Sequence, residues 1–389
     1  MPKPPEVPVH RIRDGVDPVP ELCRTAAQTP LVRDDGPGAN DWVVTGREEV
    51  RAVLGDAQRF TTRPPAETAE ASRRLVEPGN LLQYDPPEHT RLRQMLTPEF
   101  TVRRMRRMEP LIEKIVEDRL DVLERAGKPA DLMRHFARPV PGLVGCALVG
   151  VPRDDQAELA RTLDIRSSGR AKRNIQAMKA FNAYMVRMVA QRRRAPGDDL
   201  LSMLILGHGE QLDDRELGGV CASLVAGGFE NAAEMLALGT LVLLEHPDQL
   251  QLLRERPELM DRAVEELLRH VSVVSTASPR TALADVLMGD QVIKAGDLVD
   301  VSLFAANRIQ PPGAPPDRFD VTREQTNHLA FGHGIHFCVG AALARMELRI
   351  AYAALLRRFP DLRLAVPLGE LRFRPLAPQY GLEALPVTW

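Results

Sequence analysis

One ten-residue segment near the C-terminus concentrates side chains that could do chemistry. It begins at Phe331 and reads FGHGIHFCVG, so three glycines surround Cys338 and a helical pattern starts directly after it. Glycine permits backbone angles closed to other residues and lets a ligand approach the main chain closely. A cysteine at a helix N-terminus lies at the positive end of the helix dipole, which favours the thiolate. The segment therefore predicts a sulfur anion presented to a metal, with flat backbone beneath a large planar ligand.

Two other interpretations fit the same residues. Cys338 could be a small buried residue in a glycine-rich turn, which is common for free cysteines. It could also bind zinc together with His328, His333 and His336. The zinc hypothesis lacks a usual ligand spacing and leaves the glycines without a role. The residues by themselves leave all three interpretations open.

The same segment resembles the haem-binding signature FGxGxHxCxG of the cytochrome P450 family, in its soluble bacterial, actinomycete-type branch. The resemblance extends from Trp42 to the C-terminus. It implies haem b held between a long central helix and the cysteine loop, with Cys338 as the thiolate ligand of iron. Such a sulfur pushes electron density onto the metal. The resemblance also places Phe331, Gly332 and Gly340 against the cofactor.

Haem carries two propionates, which need cationic or hydrogen-bonding partners. The family takes these from an HxxxR after a DPPEH string, from an RxA, and from the histidine two residues before the cysteine. The resemblance therefore implies that the propionates bind His89, Arg93, Arg280 and His336.

The segment ELLR contains Glu266 and Arg269 on a helical pattern. Their spacing of three residues places both side chains on one helix face. By itself this pattern usually marks a solvated surface pair. The resemblance instead implies a buried structural network with Arg318, in which loss of one member would leave an uncompensated charge.

The central helical pattern contains AGGFEN, with two adjacent glycines. Each costs about 1 kcal/mol against alanine inside a helix, so a kink is expected here. In the family this segment of the helix widens over the haem, and the matching position here is Gly227. The family segment also carries an acid followed by a threonine, and these two side chains relay protons and water. The matching residues are Glu230 and Asn231, and an amide is not a hydroxyl. Asn231 could organise water, a substrate hydroxyl could replace threonine, or the reaction could be an oxidative coupling. A structural role that props the groove open is the remaining alternative.

The resemblance places the substrate over the distal haem face. Its walls would come from about residues 62–84 and 161–185, and the pocket would be lined by Val225, Ala226, Phe229 and Val274. The second wall is basic and either forms a solvated helix face or a lid over an acidic or carrier-borne substrate. Its charged residues are Arg161, Arg166, Arg170, Lys172 and Arg173.

The family resemblance implies a monooxygenase that inserts one oxygen atom from O2 into a small organic molecule, in specialised metabolism. Oxidative coupling is the alternative, and a haem carrier without turnover is a third hypothesis. No flavin or nicotinamide domain is evident, so electrons would come from a separate ferredoxin and its reductase. A basic cluster could attract an acidic ferredoxin. It consists of Arg103, Arg104, Arg106, Arg107, Arg345 and Arg349.

The elements that must position these residues are mostly helical. Helical periodicity dominates from about residue 48 to residue 270, with a long central helix over about 213–244 and a last helix over about 339–359. Short strands separated by turns are predicted within residues 286–301. We therefore expect a mainly α protein with a minor β region, formed as one domain over residues 1–389. Residues 1–20 form a short proline-rich segment.

Composition excludes several functional classes. The chain has 51 basic and 53 acidic residues and a net charge of −2, so it lacks the excess of positive charge that is typical of nucleic-acid-binding proteins. Its four cysteines are scattered without a CxxC, which argues against a disulfide scaffold. No apolar run is long enough to span a bilayer, and no signal peptide is evident. We expect a cytoplasmic monomer that binds neither nucleic acid nor membrane.

Overall fold

The computed structural model describes residues 9–33, 41–63, 76–166, 171–309, 317–324, 326–374 and 379–389. These residues are mainly helical with a minor β part, as the sequence predicted. The helices are α1 (Pro20–Gln28), α2 (Arg47–Gly55), α3 (Glu88–Leu96), α4 (Val102–Met105), α5 (Glu109–Arg125), α6 (Pro139–Val149), α7 (Arg153–Arg166), α8 (Ala171–Arg194), α9 (Leu200–His208), α10 (Asp214–Glu245), α11 (Pro247–Glu255), α12 (Met260–Val271), α13 (Leu303–Arg308) and α14 (Ala341–Arg358).

The strands form small sheets beside the helices. A mixed sheet has the order β3-β4-β10-β7-β5, in which β4 and β10 are parallel and the other neighbours antiparallel. A second sheet has the order β11-β12-β6, and β1-β2 and β8-β9 are antiparallel pairs. The strands are β1 (Arg13–Asp14), β2 (Asp17–Pro18), β3 (Leu31–Arg33), β4 (Trp42–Val44), β5 (Phe60–Thr61), β6 (Ala130–Asp131), β7 (Arg280–Ala282), β8 (Val286–Met288), β9 (Gln291–Ile293), β10 (Leu298–Val301), β11 (Arg363–Leu364) and β12 (Pro386–Thr388).

Helix α10 is the central element, and it packs against α6, α8, α12 and α14. Its N-cap is Asp213, whose carboxylate accepts the backbone N–H of Glu216 at 2.7 Å. Most of its side chains are buried in one large hydrophobic cluster, which explains its nearly continuous apolar sequence. The bounds predicted from periodicity, about 213–244, are confirmed within one residue.

Helix α14 crosses α10 at a point of close approach. A Cβ added to Gly239 would collide with the ring of Tyr352, whose hydroxyl donates a hydrogen bond to the carbonyl of Met235. Glycine at this position therefore lets the two helices meet. This contact holds α14 against α10, and the N-terminus of α14 directly follows the loop that contains Cys338.

The proline-rich N-terminal segment packs onto the fold where it is described. Arg13 donates hydrogen bonds to the carbonyls of Val271 and Ser272, at the end of α12, and stacks on Phe304. Among the described residues, no helix is both long and apolar enough to cross a membrane.

Candidate haem-thiolate site

The loop before α14 folds back on itself around Cys338. The backbone N–H of Cys338 donates to the carbonyl of Phe331 at 2.9 Å. Gly332 and Gly334 have φ angles of +73° and +71°, which side chains other than glycine rarely adopt. A Cβ on Gly334 would also collide with the carbonyl of Leu54, at the end of α2. Two of the three glycines therefore shape the loop.

The surroundings of the Cys338 sulfur change its pKa in opposite directions. Burial raises the pKa of the thiol, whereas a hydrogen bond from the Gly340 backbone N–H and the charges of Arg93 and Arg345 lower it. The pKa remains above its usual value, because the effect of burial exceeds that of the N–H at the helix N-terminus and of the two arginines. A coordinated metal ion supplies the positive charge that deprotonates such a sulfur.

Helix α10 borders open space at its midpoint. Gly227 and Gly228 are exposed although most of α10 is buried, and a Cβ built on either would have no atom within 4 Å. A Cβ built on Gly340, two residues after Cys338, would likewise meet open space, although Gly340 itself is half-buried. These positions leave a cradle of bare backbone, as a large planar ligand requires.

A group of buried donors has no acceptor within the described chain. The rings of His89 and His336 lie 4.5 Å apart between centroids, and His89 Nε2 and both nitrogens of His336 have no hydrogen-bond partner there. The charges of Arg93 and Arg280 act on His336; Arg93 is half-buried, and Nη1 of the buried Arg280 donates to the carbonyl of Ser278. Burial lowers the pKa of all four side chains, to about 3 for His336 and about 10 for Arg280. Donors buried in this way need an anionic partner, and two propionates fit them.

The amide of Asn231 binds its own helix. Its Nδ2 donates to the carbonyl of Gly227 at 2.8 Å, one turn earlier. Its Oδ1 is buried, and no partner for it exists in the ranges that the structure covers. A side-chain bond to the preceding turn commonly bends a helix. Asn231 thus leaves one acceptor available at the midpoint of α10, whereas a threonine would present a hydroxyl.

A family model described as Cytochrome P450 matches residues 38–166 and 157–362. The chain belongs to the cytochrome P450 family. It is 44% identical over 391 residues to cytochrome P450 165C4 of Amycolatopsis orientalis, covering 97% of this chain and 96% of that protein.

Two solved structures are similar over almost the full length. One is the complex of the X-domain and OxyB from teicoplanin biosynthesis, with 48% identity, a TM-score of 0.89, and 99% and 100% of the two chains covered. The other is OxyC, a P450 implicated in an oxidative C–C coupling reaction during vancomycin biosynthesis, with 45% identity, a TM-score of 0.89, and 97% and 96% covered.

This P450 is therefore an oxidoreductase of the monooxygenase family. Its cofactor is haem b with a thiolate ligand to iron, and it acts on a small molecule with electrons from a redox partner. The zinc hypothesis is not supported, because no group of three or more His, Cys, Asp or Glu side chains that could hold a metal occurs among the residues described. His328 instead contacts Glu265.

The predicted structural network forms, but its second arginine is a different residue. Arg269 donates to both oxygens of Glu266 at 2.8 Å, as the spacing predicted. The second cation is Arg323, whose Nε donates to Glu266 at 2.9 Å, so the assignment of Arg318 was wrong. The Arg318 side chain is exposed, and only its carbonyl takes part, accepting from Arg269 and Arg323. A turn around Asp320 brings the later arginine back to the carboxylate.

Two of the residues expected to line the substrate pocket face elsewhere. A Cβ on Gly142 would lie 3.3 Å from the ring of Phe229, and one on Gly145 would lie 3.6 Å from Val225. Val225 and Phe229, four residues apart on one face of α10, therefore pack against α6, away from Gly227. Phe229 instead borders a cleft of about 510 Å³ whose walls include several arginines. These arginines are Arg119, Arg134, Arg138 and Arg153.

The other predicted pocket residues have mixed outcomes. Ala226 is buried in α10, and Val274 is half-buried between two hydrophobic clusters. Much of the proposed walls lies outside the described residues, including residues 64–75 and 167–170. The side chains of the predicted basic lid also lie outside them: Arg161, Arg166, Arg170, Lys172 and Arg173.

Glu234 is a buried structural residue of α10 that was not predicted from the sequence. It lies one turn after Glu230, is buried, and pairs with Arg374. It also accepts the backbone N–H of Leu382 at 3.0 Å, and burial raises its pKa. Glu234 thus ties the C-terminal segment to α10. The sequence feature that could have identified Glu234 is a carboxylate inside an apolar stretch of the central helix.

Proposed function

We propose that this P450 catalyses an oxidative coupling, in which two groups of one substrate become bonded and no oxygen atom is inserted. In this proposal Cys338 is the iron ligand, and Phe331, Gly332 and Gly340 line the cofactor around it. The propionates bind the four donors His89, Arg93, Arg280 and His336. Bound haem supplies the redox centre at which O2 is activated.

The proposal rests on the presence of an amide, that of Asn231, where the family has a hydroxyl. Insertion chemistry in the family uses a hydroxyl beside the acid, whereas here the amide occupies that position and its Nδ2 is already bound to Gly227. Glu230 remains as the acid that exchanges protons with water, and the Asn231 Oδ1 holds a water or a substrate hydroxyl as an acceptor. A substrate that brings its own acidic hydroxyls needs no alcohol from α10.

The overall reaction balances without an inserted oxygen. Two X–H bonds of the substrate break and one bond between the two groups forms, which releases two protons and two electrons. The redox partner adds two further electrons and solvent adds two protons. The four electrons and four protons reduce O2 to two molecules of water.

The relatives support both the reaction and the type of substrate. OxyC is implicated in an oxidative C–C coupling, and the structures from teicoplanin and A47934 biosynthesis belong to glycopeptide pathways. We therefore propose a peptide with phenolic rings, since phenols lose electrons readily. The complex of OxyB with an X-domain supports presentation of the peptide by a partner domain.

Electrons would arrive on the Cys338 side from a ferredoxin and its reductase. Helix α4 packs against α14, and Arg103, Arg106 and Arg107 are exposed in and just after it. Val102 and Phe337 add exposed apolar area. The predicted cluster is smaller than expected, because its three other arginines are engaged by carboxylates. These pairs are Arg104–Glu99, Arg345–Glu265 and Arg349–Glu109.

Product mass distinguishes coupling from insertion. The holoprotein is supplied with a ferredoxin, its reductase, NADPH and ¹⁸O2, together with phenolic peptides either free or attached to a carrier domain. We expect a product lighter than the substrate by two hydrogens and free of label. A product that gains one labelled oxygen would contradict the proposal and establish monooxygenation of the same substrate.

Variants of Asn231 test the role of its amide. Asn231→Thr should retain product formation, because the hydroxyl can still accept and donate a hydrogen bond. Asn231→Leu has a similar volume without polar atoms and should lose up to about 10²-fold in rate, the lower end of the contribution of positioned proton-transfer groups. Equal rates in the two variants would show that the polar group has no role.

A further inference from the structure

Arg345 is held inside the Cys338 region and is not a free surface cation. Its Nε donates to Glu265 Oε1 at 2.6 Å and its Nη2 to Oε2 at 2.9 Å, a forked pair. Its guanidinium carbon also lies 4.6 Å from the centroid of the Phe331 ring. One cation is thus fixed by a carboxylate and an aromatic face together, which restricts it to one orientation.

A buried histidine fixes that carboxylate in turn. His328 is 2% exposed, and its Nε2 lies 3.1 Å from Glu265 Oε2. Its Nδ1 accepts the backbone N–H of Ala330 at 3.2 Å, so Nδ1 carries no proton. The proton of the neutral ring is therefore on Nε2 and is donated to Glu265. The bonds from His328 and Arg345 hold the pKa of Glu265 at about 2, against the effect of burial.

This arrangement connects directly to the loop that carries the sulfur. The carbonyl of Phe331 accepts the backbone N–H of Cys338, so the ring under Arg345 belongs to the same turn. Through the Phe331 ring, the Arg345 guanidinium is thus held against the turn that presents the Cys338 sulfur. A fixed positive charge at this place stabilises negative charge on the sulfur.

We propose that Arg345, held by Glu265 and His328 against Phe331, is a positioning residue that sets how much electron density Cys338 donates to iron. The proposal rests on Cys338 being the iron ligand. A fixed cation beside the sulfur favours the more negative, reduced form of the cofactor site. It therefore raises the reduction potential and makes electron transfer from the redox partner easier. Glu265 moderates the effect, because its negative charge opposes that of Arg345.

The two charges predict shifts of opposite sign in a potentiometric titration of the holoproteins. Arg345→Gln should lower the ratio of reduced to oxidised haem at a given potential about tenfold, which is a shift of about 59 mV to more negative potential for one electron. Glu265→Gln should shift the potential the other way by a smaller amount. Arg345→Lys keeps the charge without the fork and should lie between the wild type and Arg345→Gln.

Arg349→Gln is the matched control. Arg349 lies one turn further along α14 and pairs with Glu109 at 2.5 Å, with an exposure close to that of Arg345. In the described structure it has no aromatic ring beneath it, so its removal should leave the potential unchanged. A shift equal to that of Arg345→Gln would mean that any charge on α14 has this effect, which would overturn the specific role.

Two other results would overturn the proposal. If Arg345→Gln and Glu265→Gln shift the potential in the same direction, the pair has only a structural role. If the potential is unchanged while ferredoxin reduces the variant more slowly in a salt-dependent way, Arg345 belongs to a docking surface. The spectrum of each reduced protein with carbon monoxide is recorded in parallel. If the wild type lacks the thiolate band, the assignment of Cys338 as the iron ligand is rejected. If that band is present but the variants leave the potential unchanged, only the role of Arg345 is rejected.

Discussion

The Glu266 network and the His89–His336 pair are both buried, but different groups satisfy them. Glu266 accepts two bonds from Arg269, one from Arg323 and one from the backbone N–H of Asp320. His336 has no partner for either nitrogen within the residues that the structure describes. Unpaired buried polar groups are costly, so a chain keeps them only where something else pairs with them. The first cluster stabilises the fold, and the second is arranged for a ligand.

The largest effect is expected from Glu266→Ala, which breaks the self-contained network. Removal of the carboxylate leaves buried Arg269 without its forked partner and should cost about 3–5 kcal/mol of the free energy of unfolding. We expect little soluble holoprotein and a lower urea midpoint. Glu258→Ala, which removes an exposed partner of Arg256, is the control and should leave the midpoint unchanged. Equal midpoints for the two variants would refute a structural role of the network.

The next largest effect is expected at the His89–His336 pair, which lacks partners within the described chain. His89→Ala combined with His336→Ala should weaken haem binding and leave the chain folded. Each lost bond to a charged group is worth roughly 1.5–3 kcal/mol, or about 10- to 100-fold in affinity. Haem transfer to an excess of apomyoglobin measures the loss, and circular dichroism reports the fold. His208→Ala is the control. Unfolding without faster haem loss would place these histidines with the structural group.

The bounds of the helices were predicted from the sequence better than the directions in which individual side chains point. The bounds of α10 and α14 follow from a long apolar periodicity and from the glycine-rich loop, so both are local properties. The side of α10 on which Phe229 lies depends on how α6 packs against it, which periodicity does not encode. The choice of Arg323 over Arg318 depends similarly on a turn that brings a later residue back. Resemblance supplied the order of the haem contacts but not these local geometries.

A pH-dependent effect is expected at Glu347, a buried carboxyl in α14. In the described part of the chain its Oε1 lacks a partner, and burial raises its pKa to about 8. The folded state therefore binds this proton more tightly than the unfolded state, where the pKa is near 4.3. Its contribution to stability is complete below about pH 4.3 and is lost as the pH rises towards 8.

Glu347→Gln should remove that pH dependence, because an amide does not ionise. We expect the variant to melt higher than the wild type at pH 8 and to differ less at pH 5.5, as measured by thermal unfolding in matched buffers. Glu258→Gln serves as an exposed control at both pH values. A difference that does not change with pH would show that Glu347 is already paired in the holoprotein.

The most direct test of thiolate ligation is the absorption spectrum of the purified, reduced protein with carbon monoxide, compared with that of Cys338→Ser. Ligation of iron by Cys338 predicts a red-shifted Soret band typical of thiolate-ligated haem in the wild type and its loss in the variant. A wild-type band at the position of histidine-ligated haem, or an unchanged band in Cys338→Ser, would contradict the assignment of Cys338 as the iron ligand.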